Sequence, residues 1–298
     1  AGLQQVEVQD YAADAGMWWA HDWGLRLLGN PVFGPGSQDI VLETSLPTGG
    51  SELDDGPIVA SLILTGHITD PLPEADLQGK VAVQRLTPLT GAYSERTPTR
   101  ERAQQLIAAG AVGVINIVEQ LGNMHTRDFS NCNGPCFNIG TEDGDFLEAV
   151  VARSQAQGLS EELKVQLSLD AEVLEDLRGQ NAMGIVPGKQ GLAGEVVIVN
   201  AHADGWYDGA GDNGDGLSVL IAMARHFTKA ENQPERAIVF VASGGHHSRG
   251  LNGPANFVRM NPGILERTVL VLNLEHVAQF EIDSSDWSVG PAEQPMNF

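Results

Sequence analysis

Residues 195–227 read EVVIVNAHADGWYDGAGDNGDGLSVLIAMARHF, an apolar run followed by a glycine-rich loop and a segment with apolar residues at helical spacing. The run from Glu195 to Ala201 is rich in β-branched residues and is typical of a strand buried on both faces. The segment from Leu217 to Phe227 predicts a helix. The loop therefore lies at the carboxyl end of a strand, where open α/β sheets place their active sites.

The loop contains a histidine and carboxylates in positions suited to binding a metal ion. His202 and Asp204 indicate a ligand with an orienting carboxylate, because a metal-bound imidazole usually donates its other nitrogen to an oxygen. Asp212 would supply a hard oxygen to the same ion or bridge two ions. The alternative interpretation is a solvated turn, since Asp, Asn and Gly are also the commonest turn residues.

Two further strands are predicted to end in residues of the same kind. The segments Arg236 to Ala242 and Thr268 to Leu274 are apolar and predict buried strands. Imidazole and carboxylate groups at adjacent strand ends form a pocket suited to zinc, with two ions possible if Asp212 bridges them. The residues that follow the two strands are His246 and His247 after the first, and Glu275 and His276 after the second.

The composition disfavours two classes of partner. The formal net charge is −22 and the pI is near 4.5, so nucleic acids and anionic membrane surfaces would be repelled. Hydrophobic residues make up 42% of the chain and charged residues 19%, which is typical of a globular protein. No run of about 20 apolar residues is present, so no membrane span is predicted. The acidity fits a secreted or salt-tolerant protein, or serves solubility alone.

The two cysteines of the chain, Cys132 and Cys136, are separated by three residues. A structural zinc site needs two further ligands that this motif lacks, so a small disulfide loop is the favoured interpretation. A disulfide indicates an oxidising compartment, and the first residues fit either a mature terminus left after signal removal or simply the start of the sequence. We therefore expect a secreted, periplasmic or otherwise extracellular protein.

The chain before the glycine-rich loop divides into two parts. Residues 1–38 contain one segment that looks helical, from Tyr11 to Leu28, and its three tryptophans predict a packing face. Short strands predominate over residues 39–178, with a β-α-β passage that includes a helix from Arg100 to Ala109 and a strand from Ala111 to Val118.

This second part resembles the protease-associated domain, a small β-rich module inserted in several secreted and vacuolar peptidases. The resemblance rests on the GKVAVQR strand at 79–85, the AAGAVGVI run at 108–115 and the IGTEDGDFL segment at 139–147. It implies a non-enzymatic domain, over residues 39–178, that covers or shapes a neighbouring active site.

Taken together, the three strand ends resemble those of the M28 family of zinc exopeptidases carrying such an insertion. The resemblance implies an α/β fold of the phosphorylase/hydrolase-like type, with a mixed, mainly parallel sheet flanked by helices, in which residues 1–38 and 179–298 form the catalytic domain. In that family an H-x-D motif supplies the first ligand, here His202 with Asp204. A bridging aspartate precedes a helix, here Asp212, and the peptide bond after it is commonly cis.

The sequence departs from the family pattern after the second strand. The family places two glutamates there, a general base for the metal-bound water and a metal ligand, and these positions hold His246 and His247. A histidine can bind zinc or accept a proton near neutral pH, so His247 stays a candidate ligand and His246 a candidate base. Losing a carboxylate removes charge that would neutralise two divalent ions, which favours a single-metal site. The alternative is a degenerate peptidase in which both are ordinary loop residues.

The third strand end departs as well. Glu275 stands where the family has an aspartate, and His276 should point elsewhere if Glu275 faces the site, because neighbours in an extended chain alternate faces. The family's last histidine ligand lies well beyond this position, and the sequence ends at Phe298. A longer catalytic domain, a second polypeptide that completes the site, or a defective metal site would each account for this. A shortened sheet should expose apolar strand edges, which favours a partner chain or processing.

The sequence therefore predicts a zinc-dependent hydrolase, resembling aminopeptidases and carboxypeptidases, that cleaves peptide or amide bonds with a metal-activated water. Two other functions stay open: a pseudo-peptidase that binds a peptide or protein partner without catalysis, and a single-zinc enzyme that acts on another amide or an ester. A serine hydrolase is disfavoured, because no G-x-S-x-G elbow is present. The predicted ligands of one or two zinc ions are His202, Asp212, His247 and Glu275, and the predicted catalytic residues are His246 and Asp204.

Overall fold

The structure, a computed structural model, describes residues 2–29, 32–53, 56–88, 96–126, 132, 134–189, 191–205, 208–248, 250–278, 280–283 and 288–291. Its strands are β1 Gln4–Ala12, β2 Met17–Leu27, β3 Ile40–Val41, β4 Leu46–Pro47, β5 Ile58–His67, β6 Val81–Leu86, β7 Gly113–Val118, β8 Cys136–Ile139, β9 Lys164–Leu174, β10 Arg178–Val186, β11 Val196–His202, β12 Ala237–Ser243, β13 Thr268–Asn273, β14 Phe280–Asp283 and β15 Ser288–Pro291. Its helices are α1 Arg96–Ala108, α2 Thr141–Ala156, α3 Asp215–Phe227, α4 Gly253–Met260 and α5 Pro262–Leu265, with a 3-10 turn at Ala230–Asn232.

The chain forms two units, which we describe separately. The first draws on the described parts of Ala1–Met17, Val173–Glu281 and Gly290–Phe298, and the second on Trp18–Glu172 and Ile282–Val289. The second unit thus begins at Trp18, well before the predicted boundary at residue 39. None of the helices described here has the length and apolar character needed to cross a membrane.

The first unit is built on a five-stranded mixed sheet in the order β1-β10-β12-β11-β13. Strand β10 pairs antiparallel with β1 and β12, whereas β11 pairs parallel with β12 and β13. The register places Ala201 beside Ala242 and Asn200 beside Asn273. The three parallel strands therefore end at the same edge of the sheet, which is where the sequence predicted that their polar ends would meet.

Helices pack on both faces of this sheet, because alternate residues of each strand point in opposite directions. On one face Val199 and Phe240 share a core with Leu220 of α3. On the other face Val239 shares a core with Phe257 of α4. Burying an apolar side chain of this size contributes about 1.5–3 kcal/mol, so these contacts fix the strand ends relative to one another. The predicted α/β architecture with a mixed sheet is confirmed.

The outer strand β13 is apolar but exposed. Val269, Leu270, Val271 and Leu272 expose 55%, 56%, 56% and 40% of their surfaces. The prediction that this strand is buried is wrong for the described residues, because β13 lies at the edge of the sheet and pairs there only with β11. The sequence also predicted that an apolar strand edge would be exposed, and β13 is such an edge.

The N-terminal segment is extended. The helix predicted from Tyr11 to Leu28 is wrong, because these residues lie mainly in β1 and β2. Leu25 and Leu27 of β2 are fully buried while their neighbours are not, which is the two-residue period of a strand. Trp19 and Trp23 are 49% and 38% exposed, so these two tryptophans are not core residues.

The second unit is rich in strands, with one sheet in the order β3-β2-β9-β5-β6-β7-β8-β4. Strands β5 to β8 are parallel to their neighbours in that run, with Leu147 of α2 in the core on one face and Leu106 of α1 in the core on the other. The predicted helix and strand of the β-α-β passage are confirmed as α1 and β7, and the sulfur atoms of Cys132 and Cys136 lie at disulfide distance. Assignment of this unit to the protease-associated domain stays a prediction.

Candidate metal centre

Imidazole and carboxylate groups from three strand ends lie together in the first unit. His202 ends β11, the two histidines 246 and 247 follow β12, and Glu275 follows β13. Asp212 comes from the loop that enters α3. Among the described residues, two sets of three donor atoms lie within 4.8 Å of one another: His202, His246 and His247 form one set, and His202, Asp212 and Glu275 form the other.

His202 is the buried centre of this group, with 3% of its side chain exposed. Its Nδ1 atom lies 2.8 Å from the carbonyl oxygen of Asp204, so an N–H at Nδ1 donates to that oxygen. Its Nε2 atom lies 2.8 Å from Oε1 of Glu275 and 3.0 Å from Oδ1 of Asp212. The contact at Nδ1 fixes the ring so that Nε2 faces the two carboxylates.

Asp212 connects two of the histidines through one oxygen. Its Oδ1 atom lies 3.0 Å from Nε2 of His202 and 2.9 Å from Nε2 of His247. These distances bring nitrogen atoms from two strand ends to one carboxylate oxygen. A cation placed among them would receive both imidazole and carboxylate ligands.

Asp204 orients the turn that carries the histidines after β12. Its Oδ1 accepts a hydrogen bond from the backbone N–H of His246 at 2.9 Å, and its Oδ2 accepts one from the N–H of His247 at 2.7 Å. Burial raises the pKa of Asp204, but hydrogen bonds from His202 and from the two amides outweigh burial and hold this pKa well below its usual range. Asp204 is therefore a fixed negative charge that positions three histidines.

Gly244, at the start of that turn, forms backbone hydrogen bonds to three other elements of the unit. Its carbonyl oxygen accepts hydrogen bonds from the Tyr11 hydroxyl at 2.8 Å and from the N–H of Gly253 at 2.9 Å. Its own N–H donates to Oδ1 of Asn181, which is fully buried, at 3.2 Å. The turn is therefore anchored to β1, β10 and α4.

The loop before α3 packs closely against the end of β13. The side-chain amide of Asn213 donates to the carbonyl oxygen of Leu274 at 2.9 Å, and the peptide bond between Asp212 and Asn213 is cis, as the family resemblance implied. A Cβ atom on Gly216 would lie 2.2 Å from Oδ1 of Asn213 and 2.6 Å from the Leu274 carbonyl oxygen. Glycine permits this approach, which fixes Asp212 relative to Glu275.

His276 lies at the centre, contrary to the sequence-based expectation. Its Nε2 atom is 4.0 Å from Oδ2 of Asp212 and 3.7 Å from Oε1 of Glu275. The expectation was wrong because the backbone is not extended here: His276 has a φ of 48°, in the left-handed region. The alternation of faces along a strand therefore does not apply to these two residues.

The electrostatics distinguish His202 from His246. Burial lowers the pKa of His202, but hydrogen bonds to Asp204 and Glu275 outweigh burial and raise this pKa to about 9. Burial and the electrostatic influence of His202 and His247 lower the pKa of His246. At neutral pH the metal-free protein therefore carries a proton on Nε2 of His202, whereas His246 is neutral.

The donor set fits a divalent ion such as zinc. Zinc takes imidazole nitrogen and carboxylate oxygen at about 2.0–2.2 Å, so two donors of one ion lie at most about 4 Å apart. Nε2 of His202 and Oδ1 of Asp212 lie within that span, as do Nε2 of His202 and Oε1 of Glu275. The two carboxylates would balance the charge of the ion, and the ion would replace the proton that His202 carries in its absence.

A cavity of about 410 Å³ opens beside the donor atoms. His202, His246 and Glu275 line it, together with apolar side chains that include Val241 and Phe257. Its volume lies within the usual range for small-molecule sites, and its lining combines apolar walls with a few polar groups.

Comparison with known proteins relates the region that carries this centre to a family of peptidases. Residues 181–292 match the profile of peptidase family M28. Aminopeptidase YwaD of Bacillus subtilis is 28% identical over 265 residues, which cover 88% of this chain and 53% of that protein. Residues 181–292 are therefore similar in sequence to the M28 peptidase domain.

Two solved structures share the fold. BSAP, a zinc aminopeptidase from Bacillus subtilis, is 25% identical with a TM-score of 0.61, over 92% of this chain and 59% of that chain. A peptidase M28 precursor from Shewanella amazonensis is 20% identical with a TM-score of 0.67, over 91% of this chain and 61% of that chain. The chain thus spans about half the length of the aminopeptidase YwaD and about three-fifths of these two structures.

Sequence reasoning found the reactive groups of the centre but missed the residues that hold them. Tyr11 and Asn181 carry no motif, and only the pairing of β1, β10 and β12 brings them to Gly244. The predicted residues that the structure brings together are His202, Asp204, Asp212, His246, His247 and Glu275. The residues missed as part of the centre are Tyr11, Asn181, Asn213 and His276.

Proposed function

We propose that the protein is a zinc-dependent hydrolase of peptide or amide bonds, of the aminopeptidase kind. The observation that carries the proposal is the convergence of donor atoms of His202, Asp212 and Glu275 at the carboxyl edge of the parallel strands. The M28 domain supports it, as do a relative named as an aminopeptidase and a structure described as a zinc aminopeptidase.

In this proposal His202, Asp212, His247 and Glu275 hold the cation. Zinc bound there would polarise the substrate carbonyl and lower the pKa of a bound water. His202 and Glu275 stand at the ends of paired strands, and contacts to the end of β13 hold the loop that carries Asp212. The ligands are therefore positioned by regular structure, which keeps their spacing constant.

His246 is the proposed proton acceptor. Its side chain lies beside the centre, with its ring centroid 4.5 Å from that of His202, and its lowered pKa keeps the imidazole neutral. A neutral imidazole accepts a proton from the attacking water and then gives it to the leaving amine. Asp204 binds the His246 amide and so orients the base without itself exchanging protons.

The cavity beside the centre is the proposed substrate cleft. His246 and Glu275 line it, so a scissile bond can approach the reactive groups from within it. Val241, Phe257 and Val271 supply apolar walls. These walls favour a peptide or small amide whose side chain is apolar.

The second unit is proposed to be a non-enzymatic protease-associated domain. Its strand-rich sheet and the sequence motifs at 79–85 and 108–115 support this assignment. A secreted or periplasmic location is also proposed, supported by the disulfide between Cys132 and Cys136. The proposed partners also include a second chain that pairs with the exposed strand β13.

Removal of the metal tests the proposed activity. A zinc chelator should abolish hydrolysis of aminoacyl amides, and added zinc should restore it. His202→Ala should lose both hydrolysis and bound zinc. His226→Ala is the matched control, because it removes an exposed histidine from the last turn of α3, and it should retain both properties. Hydrolysis that survives chelation and the loss of His202 would refute the mechanism.

The same measurements separate the alternatives. The replacement of both family glutamates by His246 and His247 favours a pseudo-peptidase as the second candidate function. A folded protein that contains no stoichiometric zinc and hydrolyses no amide would support this binding role. A zinc-containing protein that hydrolyses esters or other amides, but no aminoacyl amide, would instead support a single-zinc enzyme of different specificity.

A further inference from the structure

We propose that His276 is an additional metal ligand of this centre, supplying an imidazole nitrogen on the Oδ2 side of Asp212. This inference rests on the proposed function, because it requires the centre to bind a divalent cation of the zinc type. It assigns to His276 a role that the sequence pattern excluded.

The two oxygens of Asp212 face different histidines. Oδ1 lies 3.0 Å from Nε2 of His202 and 2.9 Å from Nε2 of His247, whereas Oδ2 lies 4.0 Å from Nε2 of His276. The same His276 nitrogen lies 3.7 Å from Oε1 of Glu275. Two donors of one zinc ion lie at most about 4 Å apart, so His276 can share an ion with either carboxylate.

The backbone at His276 supports the assignment. A φ of 48° is uncommon for a residue with a side chain, and such conformations cluster at functional sites, where the surrounding structure fixes them. This conformation places consecutive residues, Glu275 and His276, at one centre, which an extended strand does not do.

Contacts on either side hold this segment in place. The carbonyl oxygen of Leu274 accepts a hydrogen bond from Asn213, and the N–H of Ala278 donates to Oδ2 of Asp215 at 2.9 Å. The loop that carries Asp212 and the first turn of α3 therefore bind the chain both before and after His276. The imidazole itself is 14% exposed, so it is largely withdrawn from solvent toward the two carboxylates.

With His276 as a ligand, imidazole nitrogens make up a larger part of the ligand set than they do without it. His202 and His247 contact one oxygen of Asp212, and His276 adds a nitrogen near the other. Imidazole ligands suit zinc, copper, cobalt and nickel, whereas magnesium and manganese favour oxygen. The centre should therefore bind zinc and cobalt in preference to magnesium.

Metal titration of the purified protein tests the role of His276. Zinc affinity and stoichiometry are measured by calorimetry, and the visible absorption of bound cobalt reports the ligand set, for the wild type, His276→Ala and the control His226→Ala. Loss of the ligand should weaken zinc binding by about tenfold or more, because even the loss of a residue that only orients a metal ligand lowers metal affinity by that factor. It should also alter the cobalt spectrum. The control should match the wild type.

The outcomes separate this inference from the proposed function. If the wild type binds zinc and His276→Ala binds it with the same affinity, stoichiometry and cobalt spectrum, His276 is not a ligand and the proposed hydrolase stands. If neither the wild type nor His226→Ala binds zinc, both proposals are overturned.

A measurement on the wild type keeps the test decisive if His276→Ala fails to fold. Diethyl pyrocarbonate modifies accessible imidazoles, and mass spectrometry of peptides locates the modified residues. Zinc should protect His247 and His276, whose side chains are each 14% exposed, but leave the exposed His226 reactive. Protection of His247 without protection of His276 would overturn the inference alone, and protection of neither would overturn the proposed metal centre as well.

Discussion

Nε2 of His202 lies 2.8 Å from Oε1 of Glu275, and this contact joins the carboxyl ends of the paired strands β11 and β13. In the metal-free protein at neutral pH, the imidazole carries the proton at Nε2 and donates it in a hydrogen bond to Glu275. Burial lowers the pKa of His202, but the hydrogen bonds to Asp204 and Glu275 outweigh burial and raise this pKa to about 9. The contact therefore marks both the position of this proton in the metal-free protein and the place of the proposed cation.

Glu275→Gln should lower the pKa of His202 in the metal-free protein, because it removes one of the carboxylates that stabilise the imidazolium. Nuclear magnetic resonance titration of the His202 ring measures this pKa. The control is Glu266→Gln, which removes an exposed carboxylate of the same unit and should leave the titration unchanged. Equal His202 pKa values in the two variants would show that Glu275 does not stabilise the charged ring.

The raised pKa of His202 also predicts how the stability of the metal-free protein depends on pH. A group whose pKa is higher in the folded state stabilises the protein fully below its unfolded pKa, and this stabilisation is lost as pH rises through the folded pKa. For His202 the window runs from 6.5 to about 9. The shift corresponds to no more than about 3.4 kcal/mol at 1.36 kcal/mol for each pH unit.

Urea unfolding between pH 6.5 and 9.5, with a chelator present, measures this effect. The free energy of unfolding of the wild type should fall across the window, and that of His202→Gln should fall less. The depressed pKa of Asp204 acts below about pH 4, where stability is lost as pH falls, so it does not interfere. A pH dependence that is the same in both proteins would contradict the assignment.

His246→Ala should lower kcat by about 100-fold to 10,000-fold, the usual contribution of a general base. Zinc content should stay unchanged, because His246 is proposed as a proton acceptor and not as a ligand. His246→Glu restores a carboxylate at this position, and it should retain more activity than the alanine variant while shifting the acidic limb of the pH–rate profile to lower pH. Equal kcat values for the wild type and His246→Ala would exclude the proposed base.

The location of this centre follows from the sequence for physical reasons. Buried parallel strands have continuous apolar sequences, so the strands that end at His202 and Ser243 can be recognised from the sequence. The polar residues that follow such runs must emerge at one edge of the sheet. The reactive side chains other than His276 were therefore predictable before the order of the strands was known.

Other parts of the fold depend on contacts that composition does not contain. The N-terminal segment has apolar and aromatic residues that suit a helix, yet pairing with β10 makes its first part a strand. His276 faces the centre only because of its left-handed backbone, which no spacing rule reveals. The exposure of β13 depends on its place at the edge of the sheet, although its sequence is that of a buried strand.

Tyr11→Phe should lower the free energy of unfolding by about 0.5–1.5 kcal/mol, the usual value of one hydrogen bond. It removes the hydroxyl that donates to the Gly244 carbonyl oxygen, so the turn that carries His246 should also be held less firmly and kcat should fall. Urea unfolding and amide hydrolysis measure the two effects.

The control for Tyr11→Phe is Gln180→Ala. It removes an exposed hydrogen bond to Asp10, which lies next to Tyr11 in β1. Its effect on stability should stay within about 0.5 kcal/mol, because exposed contacts contribute little. If the two variants are equally stable, the buried hydroxyl does not anchor the turn.

Gly216→Ala should destabilise the protein and weaken zinc binding together. The new Cβ atom would lie 2.2 Å from Oδ1 of Asn213 and 2.6 Å from the carbonyl oxygen of Leu274, so either α3 or the end of β13 must move. Such overpacking costs about 1–3 kcal/mol. Because the same contact fixes Asp212 relative to Glu275, the movement should also separate these proposed ligands and lower the zinc affinity.

Gly211→Ala adds a methyl group to the same loop where nothing lies within 4 Å, so it should change neither property by a comparable amount. A stable Gly216→Ala variant with the zinc affinity of the wild type would show that the loop holds its ligand without this close approach.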